Sequence, residues 1–465
     1  MLGGALTLLR PLSKVYSSGT RFGGLCLHAS GARVISSFRN GEVDVSKAPV
    51  HHSIRHRASL LFAGFGALSV ATLAICSGGV AGASSTAALG KPDAAKGTPV
   101  TIGLISDGGT GTVGTAPLVE QGAKMAVAWA NAYRGGIGGR PIKLFICENL
   151  STPAGGQDCA NQMVQKKVVA VTLPFTGQGP TEVPTITKAG IPYITLSGST
   201  TEETTTKGAY SLTGGYPGVL AADAAVAKAR HYKKFAMLTV NVPEAIQPAE
   251  GLGAKAFKNA GVGYKVIPVN LGTADISPQL ESAVQWGANA IGMTGDLTLC
   301  TSFFQAYQTL GLKLPRYVLS TCVDPSIIKS SLDSTMAGSI ISSPGVTSSP
   351  DYATYAAITK KYAPTVNPSP NVSTNQSDGA SAIWALVNAM QGYTGPVTAA
   401  GINKQMSTAK NVVLPLSDGA TFTCNGKIVP GLPSVCSVAT AIGVLTPSGK
   451  AIHIQTINPV ALFSK

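Results

Sequence analysis

Residues 100–149 read VTIGLISDGGTGTVGTAPLVEQGAKMAVAWANAYRGGIGGRPIKLFICEN, and this stretch decides the fold class. The opening VTIGLI is short, rich in β-branched residues and bounded by an aspartate and glycines, which is typical of a buried parallel strand. From Ala116 the apolar residues recur at helical spacing until Gly135 and Gly136, which favour the end of a helix. A second apolar run follows at Ile142–Cys147, so the stretch predicts one β-α-β unit.

The same alternation of short apolar runs and helical patterns continues along the chain, which favours parallel sheets with helices on both faces. Further strands are predicted at Val168–Leu173, Ile191–Leu196, Phe235–Val240, Tyr264–Val269, Ala290–Thr294, Tyr317–Ser320 and Gly338–Ile341. Helices are predicted near Gly155–Lys166, Gly179–Ala189, Gly218–Ala229, Ala245–Ala260, Ile276–Gly287 and Cys300–Leu310. At 465 residues the chain exceeds what one hydrophobic core usually serves, so we expect two lobes.

The composition is that of a foldable protein rich in small residues, and it excludes a disordered chain. Glycine occurs 54 times, charged residues make up 12% of the chain, and the mean hydropathy is +0.23. The net charge is +14, but residues 1–83 hold 8 basic and 2 acidic residues, which leaves 27 basic and 19 acidic residues after them. The remaining basic residues are spread along the chain, which favours a solvated surface over a nucleic-acid patch.

An export signal is predicted near the N-terminus. Residues 58–76 form the apolar stretch ASLLFAGFGALSVATLAIC, which follows the basic segment HHSIRHR and precedes an A-x-A sequence ending at Ala83. This order predicts cleavage after Ala83, and an uncleaved membrane anchor is the alternative. Residues 73–76, LAIC, also resemble a bacterial lipobox in which Cys76 is lipidated, although Ile75 departs from the small residue preferred there. Either route places the folded part outside the cytoplasm.

The signal lies unusually far from Met1, and no other methionine occurs before Met125. We hypothesise that residues 1–49 are a gene-model extension and that translation starts at a non-Met codon near Val50. The signal peptide then spans residues 50–83, and residues 84–97 form a linker. Peptides from Gly3–Lys47 detected in cell extracts would refute this hypothesis.

Cysteine usage supports export independently of the signal. Six cysteines follow Cys26 and Cys76, and they form three close groups: Cys147 with Cys159, Cys300 with Cys322, and Cys424 with Cys436. Six cysteines allow 15 connectivities, and sequential pairing is favoured because each pair brackets one local element. Metal binding is disfavoured because no C-x-x-C pair or nearby histidine accompanies these cysteines. We therefore predict three disulfides and an oxidising compartment.

The strongest enzyme hypothesis rests on Gly109–Gly114, which satisfies G-x-G-x-x-G after a strand and before a helix. Glu148 resembles the acid that holds a ribose, but it lies 34 residues after Gly114, where roughly 20 is expected. No G-x-S-x-G, H-E-x-x-H or Walker sequence occurs, and His231 and His453 are interpreted as surface residues. We expect no catalysis, no cofactor and no metal, with an NAD-dependent oxidoreductase as the weakest alternative.

Residues 102–144 read IGLISDGGTGTVGTAPLVEQGAKMAVAWANAYRGGIGGRPIKL, and residues 168–203 read VVAVTLPFTGQGPTEVPTITKAGIPYITLSGSTTEE. Both segments resemble the branched-chain amino-acid-binding proteins of ABC transporters, the Leu/Ile/Val-binding type of type I periplasmic binding protein. The resemblance extends weakly to the C-terminus. It implies an α/β fold of two Rossmann-like lobes, each a parallel sheet flanked by helices, with three hinge crossings and a ligand cleft between the lobes.

This resemblance implies lobe 1 at residues 98–215 plus 338–421 and lobe 2 at residues 216–337 plus 422–465. Hinge crossings are expected near Gly214-Gly215 and Ala337-Gly338, and a hairpin is expected about Thr446–Gly449. The implied function is that of a monomeric extracytoplasmic solute-binding protein. It would capture an amino acid, foremost of the branched-chain type, or a related small polar solute by lobe closure and deliver it to the permease. The alternative is a ligand-sensing protein that signals to a membrane receptor.

Ligand contacts are expected at the carboxyl ends of the strands, where helix N-termini present free N–H groups. For a ligand carboxylate the resemblance points to Thr176, Gly177, Gln178, Ser197, Gly198 and Ser199. An ordinary turn with local capping is the alternative role of the two serines. In lobe 2 the family's tyrosine-and-glycine loop is replaced by VNVPE at residues 240–244, which leaves the ligand identity open. Asp296 and Asp324 are candidates for holding a ligand amine, with helix N-capping as their alternative role.

Overall fold

Two large β-sheets organise the part of the chain that this computed structural model describes, residues 87–108, 115–342, 348–368 and 373–464. The first sheet contains β1 (Val100–Ser106), β2 (Ile142–Glu148), β3 (Ala170–Leu173), β4 (Tyr193–Thr195) and β5 (Ala209–Ser211). Its strand order is β2-β1-β3-β4-β5, and every neighbouring pair is parallel. We call the part of the chain built on this sheet lobe 1.

The second sheet forms lobe 2. It contains β6 (Lys234–Val240), β7 (Gly263–Val269), β8 (Ala290–Thr294), β9 (Arg316–Leu319) and β10 (Ile340–Ser342), together with two late strands, β13 (Thr440–Leu445) and β14 (Ala451–Ile457). The order is β14-β13-β10-β9-β8-β6-β7, and β13 runs antiparallel to both of its neighbours. The predicted terminal hairpin is therefore present. A small antiparallel pair, β11 (Val412–Val413) with β12 (Thr421–Phe422), completes the strands in the described ranges.

Helices connect the strands. They are α1 (Thr115–Tyr133), α2 (Pro153–Gln165), α3 (Gly179–Lys188), α4 (Thr201–Thr205), α5 (Gly215–Ala229), α6 (Pro243–Pro248), α7 (Ala254–Ala260), α8 (Ser277–Gln285), α9 (Leu297–Thr309), α10 (Pro325–Ile328), α11 (Asp333–Met336), α12 (Tyr352–Tyr362), α13 (Asn375–Ala389) and α14 (Ala399–Ser407). Several begin at a side chain that caps the first turn, such as Thr152 before α2 and Thr374 before α13. In the described residues no helix is long and apolar enough to cross a membrane.

Alternating side chains of the strands enter two hydrophobic clusters in each lobe. In β1, Ile102 and Leu104 belong to the cluster that contains residues of α1 and α13, whereas Ile105 belongs to the one with residues of α2 and α3. In β6, Leu238 packs with α8 and α9, and Met237 packs with α5 and α7. This alternation is what a strand with both faces buried requires. Both sheets are thus covered by helices on two faces, as the sequence predicts.

The predicted strands and helices are present with bounds that shift by a few residues, with one change of geometry. The helix predicted at Ala245–Ala260 is divided by a π-helical segment, Ala249–Gly253, which follows Pro248. Proline has no N–H to donate to the preceding turn, so a regular α-helix cannot continue through it unchanged. The three predicted disulfides, Cys147–Cys159, Cys300–Cys322 and Cys424–Cys436, are all present.

Strand pairing and core packing place two of the lobe boundaries at other residues than the sequence predicts. Residues 338–342 were assigned to lobe 1, but β10 pairs with β9 and β13, so the chain leaves lobe 2 only after Ser342. Residues 422–465 were assigned to lobe 2, but Phe422, Cys424 and Cys436 pack in the core of lobe 1, whereas Val429 and Val435 pack with lobe 2. Short strands and disulfide loops reveal their lobe only through partners distant in sequence. The predicted export signal, lipobox and Gly109–Gly114 lie outside the described residues.

Candidate functional site

A cavity of about 430 Å³ lies between the two lobes. Lobe 1 supplies the residues at the ends of β3 and β4, one face of α13 and the loop after β11: Pro174, Phe175, Leu196, Ser197, Ser199, Ser373, Asn375, Asp378, Ser381 and residues 414–418. Lobe 2 supplies the starts of α5 and α6 and the ends of β8, β9 and β10, including Tyr216, Val219, Val242, Glu244, Thr294, residues 319–321 and Ser342. The carboxyl ends of parallel strands in both sheets therefore face one shared cleft, as expected for open α/β sheets.

The loop after β4 is fixed by a buried glutamate. The backbone N–H groups of Ser199 and Thr200 both donate to Glu203 Oε2 at 3.0 Å, and the Thr200 side chain caps α4 in return. Capping of α4 is therefore the task of Thr200, whereas Ser197 and Ser199 line the cavity. Burial raises the pKa of Glu203 to about 7. The loop presents hydroxyl groups to the cavity from a rigid backbone.

Thr176 and Gln178 do not line the cavity, and their contacts lie in the protein interior next to it. The Thr176 hydroxyl is buried, where it accepts the Gln178 backbone N–H at 2.9 Å and a hydrogen bond from Asn149 Nδ2 at 3.1 Å. Asn149 Nδ2 also donates to Glu182 Oε1 at 2.8 Å, and burial raises the pKa of Glu182 to about 8. Among the predicted lobe 1 residues, Gly198 is likewise absent from the cavity wall. Its N–H donates to Ser211 Oγ at 2.9 Å.

Gly177 marks a place where the two lobes approach each other closely. A Cβ atom at this position would lie 3.1 Å from Cγ of Glu244, which belongs to lobe 2. The Gly177 N–H points to Asp107 Oδ2 at 3.4 Å. Burial raises the pKa of Asp107, and the neighbouring Glu244 carboxylate raises it further. Carboxylates from opposite lobes thus lie near each other at this edge of the cleft.

Asp296 and Asp324 act as helix caps, and neither lines the cavity. Asp296 Oδ1 accepts the backbone N–H of Leu299 at 2.9 Å at the start of α9. Asp324 Oδ1 accepts the backbone N–H of Ser326 at 2.8 Å and its hydroxyl at 2.7 Å at the start of α10. Capping was the alternative interpretation of both residues, and the structure shows this role. Neither is placed to hold the amine of a solute bound in the cavity.

The carboxylates that do line the cavity are Glu244, Asp378 and Asp418. Asp378 accepts a hydrogen bond from Ser373 Oγ at 2.6 Å, and burial raises its pKa to about 6. Asp418 accepts a hydrogen bond from Ser348, and burial, followed by the charge of Asp351, raises its pKa to about 7. No lysine, arginine or histidine lies among the described residues of the cavity wall.

Sequence reasoning missed these acids for identifiable reasons. Glu244 was noticed only as part of a loop that departs from the family pattern. Asp378 carried a usable signal, because Thr374 and Ser377 form a capping box and the spacing of Asn375, Asp378 and Ser381 places them on one helical face. Asp418 has no such sequence signal, because it lies in an irregular loop.

A family model described as periplasmic binding protein matches residues 99–433. The chain belongs to this family. Its members are binding proteins and not enzymes, which leaves the oxidoreductase alternative without support. Membership also implies a location outside the cytoplasm. No curated protein matches the sequence significantly.

Solved structures share the fold at low sequence identity. A leucine-binding protein from Thermotoga maritima has a TM-score of 0.61 and 16% identity, and the match covers 77% of this chain and 99% of that one. A fatty acid ABC transporter substrate-binding protein from Thermomonospora curvata has a TM-score of 0.64 and 14% identity over 80% and 97%. A solute-binding protein of an ABC transporter from Rhodopseudomonas palustris, in complex with 3,4-dihydroxybenzoic acid, has a TM-score of 0.61 and 15% identity over 78% and 98%. The periplasmic binding protein fold therefore accommodates chemically different solutes.

Proposed function

We propose that this periplasmic binding protein captures an amino acid, with the branched-chain type as the first candidate, or a related small polar solute. It then delivers the solute to the permease of an ABC transporter. The single observation that carries the proposal is the cavity of about 430 Å³, which has walls from both lobes and hydroxyl groups from Ser197 and Ser199 on one side. A solute that touches both walls binds the closed arrangement better than the open one, and this difference is what closure requires.

The N-terminal region fits the same proposal. We propose that residues 50–83 direct export and that the chain is either cleaved after Ala83 or lipidated at Cys76. A lipid at Cys76 would hold the protein at the membrane near its permease, whereas cleavage would release it. Mass spectrometry of the N-terminus of the protein from its native host distinguishes the two outcomes.

The experiment is a thermal-shift panel on the purified full chain after unfolding and refolding to remove any bound solute. The panel contains branched-chain and other amino acids, amides, urea and small organic acids. A solute at one hundred times its Kd adds about 2.7 kcal/mol to the free energy of unfolding. A stabilising solute supports the proposal, and the absence of any shift across the panel contradicts an amino acid, amide, urea or small organic acid as the solute.

Ser197→Ala is the matched test of the site. In the described residues the Ser197 side chain makes no hydrogen bond, so its removal leaves the fold without an unsatisfied partner. Loss of one hydrogen bond to the solute weakens binding by about 0.5–1.5 kcal/mol, or roughly 2- to 13-fold. Ser407→Ala, which removes an exposed hydroxyl at the end of α14, is the control and should leave the affinity unchanged.

A further inference from the structure

The cavity is acidic although the chain as a whole is basic. The sequence holds 35 lysine and arginine residues against 21 aspartate and glutamate residues. In contrast, the described cavity wall holds Glu244, Asp378 and Asp418 and no basic side chain. Only hydroxyl, amide and backbone groups are therefore available in this wall to oppose a negative charge on a solute.

The acids come from both lobes, so their charges approach each other when the lobes close. Glu244 belongs to α6 of lobe 2, whereas Asp378 and Asp418 belong to lobe 1. Glu244 also lies against Gly177 of lobe 1, close enough for its charge to act on Asp107. In the described part of the chain no salt bridge neutralises the Glu244 carboxylate. Like charges that approach in a partly buried space oppose closure unless a positive charge lies between them.

The face of α13 adds groups suited to a cationic head. Asn375, Asp378 and Ser381 are spaced by three residues, and all three line the cavity. Carboxylate, amide and hydroxyl oxygens accept hydrogen bonds from the N–H groups of an ammonium or guanidinium ion. Within the described residues the Asp378 carboxylate accepts a hydrogen bond only from Ser373 Oγ, so it retains capacity to accept more.

We propose that the cleft selects a small organic cation, an amine or guanidinium compound that carries no carboxylate, and that the positive charge of this solute stabilises the closed lobes. This inference rests on the proposed function, in which a solute binds between the lobes, and it favours the related small polar solutes over amino acids, because every amino acid carries a carboxylate. It separates this chain from the fatty acid ABC transporter substrate-binding protein and from the solute-binding protein in complex with 3,4-dihydroxybenzoic acid. Such acids are anions at neutral pH and would meet the charges of Glu244 and Asp378 here, with a partial charge on Asp418, whose pKa is raised to about 7.

Solutes of matched shape and different charge test this inference by isothermal titration calorimetry on the full chain. One series is putrescine, 4-aminobutyrate and succinate, and the other is leucinamide, leucine and 4-methylpentanoate. We expect affinity to fall from cation to zwitterion to anion, by about tenfold or more at the first step, which corresponds to about 1.4 kcal/mol. We also expect cation binding to weaken as ionic strength rises.

The outcomes separate the two proposals. If a zwitterion or an anion binds as tightly as its matched cation, the selection of cations is wrong while the solute-binding function stands. If no member of either series and no compound of the earlier panel binds, the proposed function fails and this inference fails with it.

Charge-neutral variants locate the effect. Glu244→Gln and Asp378→Asn should each weaken cation binding by about tenfold and narrow the difference between cation and zwitterion. Asp158→Asn, which neutralises an exposed carboxylate on α2 of lobe 1, is the control and should change neither affinity. Unfolding midpoints confirm that each variant is folded. Unchanged cation affinity in both cavity variants would overturn the inference.

Discussion

Replacing Gly379 by alanine tests the contact that holds α13, and with it one wall of the cavity, against α1. A Cβ atom at Gly379 would lie 2.1 Å from the carbonyl oxygen of Val119, and one at Gly122 would lie 1.9 Å from the carbonyl oxygen of Gln376. Ordinary contact between heavy atoms needs about 3.5 Å, so the two helices must separate by on the order of 1 Å. Both obstacles are backbone atoms, which cannot rotate away as a side chain can.

Separation of the helices also loosens the core behind them. Trp129 of α1 and Trp384 of α13 are buried, with ring centroids 4.8 Å apart. Overpacking of a core typically costs about 1–3 kcal/mol, and we place Gly379→Ala at about 2–3 kcal/mol because a backbone contact has little room to relax. At about 2–4 °C per kcal/mol for a domain of this size class, the Tm should fall by about 4–12 °C.

Gly218→Ala is the matched control. Gly218 also lies early in a helix, α5, but the nearest atoms to a Cβ there are 3.9 Å away. The same substitution should therefore be neutral or stabilise the protein by about 0.4–1 kcal/mol, because alanine restricts the unfolded chain and favours helix. Urea and thermal unfolding of both variants decide the matter. If Gly379→Ala proves as stable as Gly218→Ala, the inferred close contact between α1 and α13 is wrong.

Three further predictions concern buried charge, disulfides and the binding loop. Burial raises the pKa of Asp223 to about 8, above its value in the unfolded chain, so the folded state loses stability as pH rises from about 4 through 8. In Asp223→Asn this loss should disappear, and the slope of the urea-unfolding free energy against pH should decrease by up to about 1.4 kcal/mol per pH unit. The disulfides Cys147–Cys159 and Cys424–Cys436 both join residues 12 apart in sequence, so replacing either pair by serine should lower the free energy of unfolding by about 3 kcal/mol. Clearly unequal decreases in denaturant titrations would contradict the view that the disulfides act through loop entropy. Thr200→Ala removes the cap of α4 and should lower the free energy of unfolding by about 1 kcal/mol and weaken solute binding, as measured by unfolding and by calorimetry. The control Thr152→Ala removes the cap of α2, which lies outside the cavity wall, and should lower stability by a similar amount without affecting binding.

The alternation of strands and helices in lobe 2 could be predicted from sequence because each element carries its own periodicity. β8, at Ala290–Thr294, was predicted at its observed bounds. β5, at Ala209–Ser211, was missed because it lies in no longer apolar run, whereas the equally short β4 lies within the run Ile191–Leu196. The prediction that β10 belongs to lobe 1 was wrong because its sheet is determined by pairing with β9 and β13, which depends on tertiary contacts.

Cavity residues that directly follow a strand could be predicted from sequence. Cavity residues from segments that enter lobe 1 later in the chain could not. Ser197 and Ser199 were found because they follow β4 directly, and both line the cavity. Asp296 and Asp324 also follow strands, yet their carboxylates are used to cap α9 and α10. Asp378 and Asp418 reach the cavity only after the chain has crossed back into lobe 1. The charge of the cavity therefore depends on residues that local patterns do not connect to it.

The loop between Ser197 and Ser199 contacts the backbone at the point where the chain enters lobe 2. Gly215 has a φ of +56°, and a Cβ atom there would lie 1.8 Å from the carbonyl oxygen of Gly198. Only glycine fits such an approach, so the loop between Ser197 and Ser199 rests on the backbone that enters lobe 2. The neighbouring Gly214 lies against Val438, which shortly precedes β13 in the chain. We therefore expect a solute held by Ser197 and Ser199 to act on the backbone at Gly215, where the chain enters lobe 2.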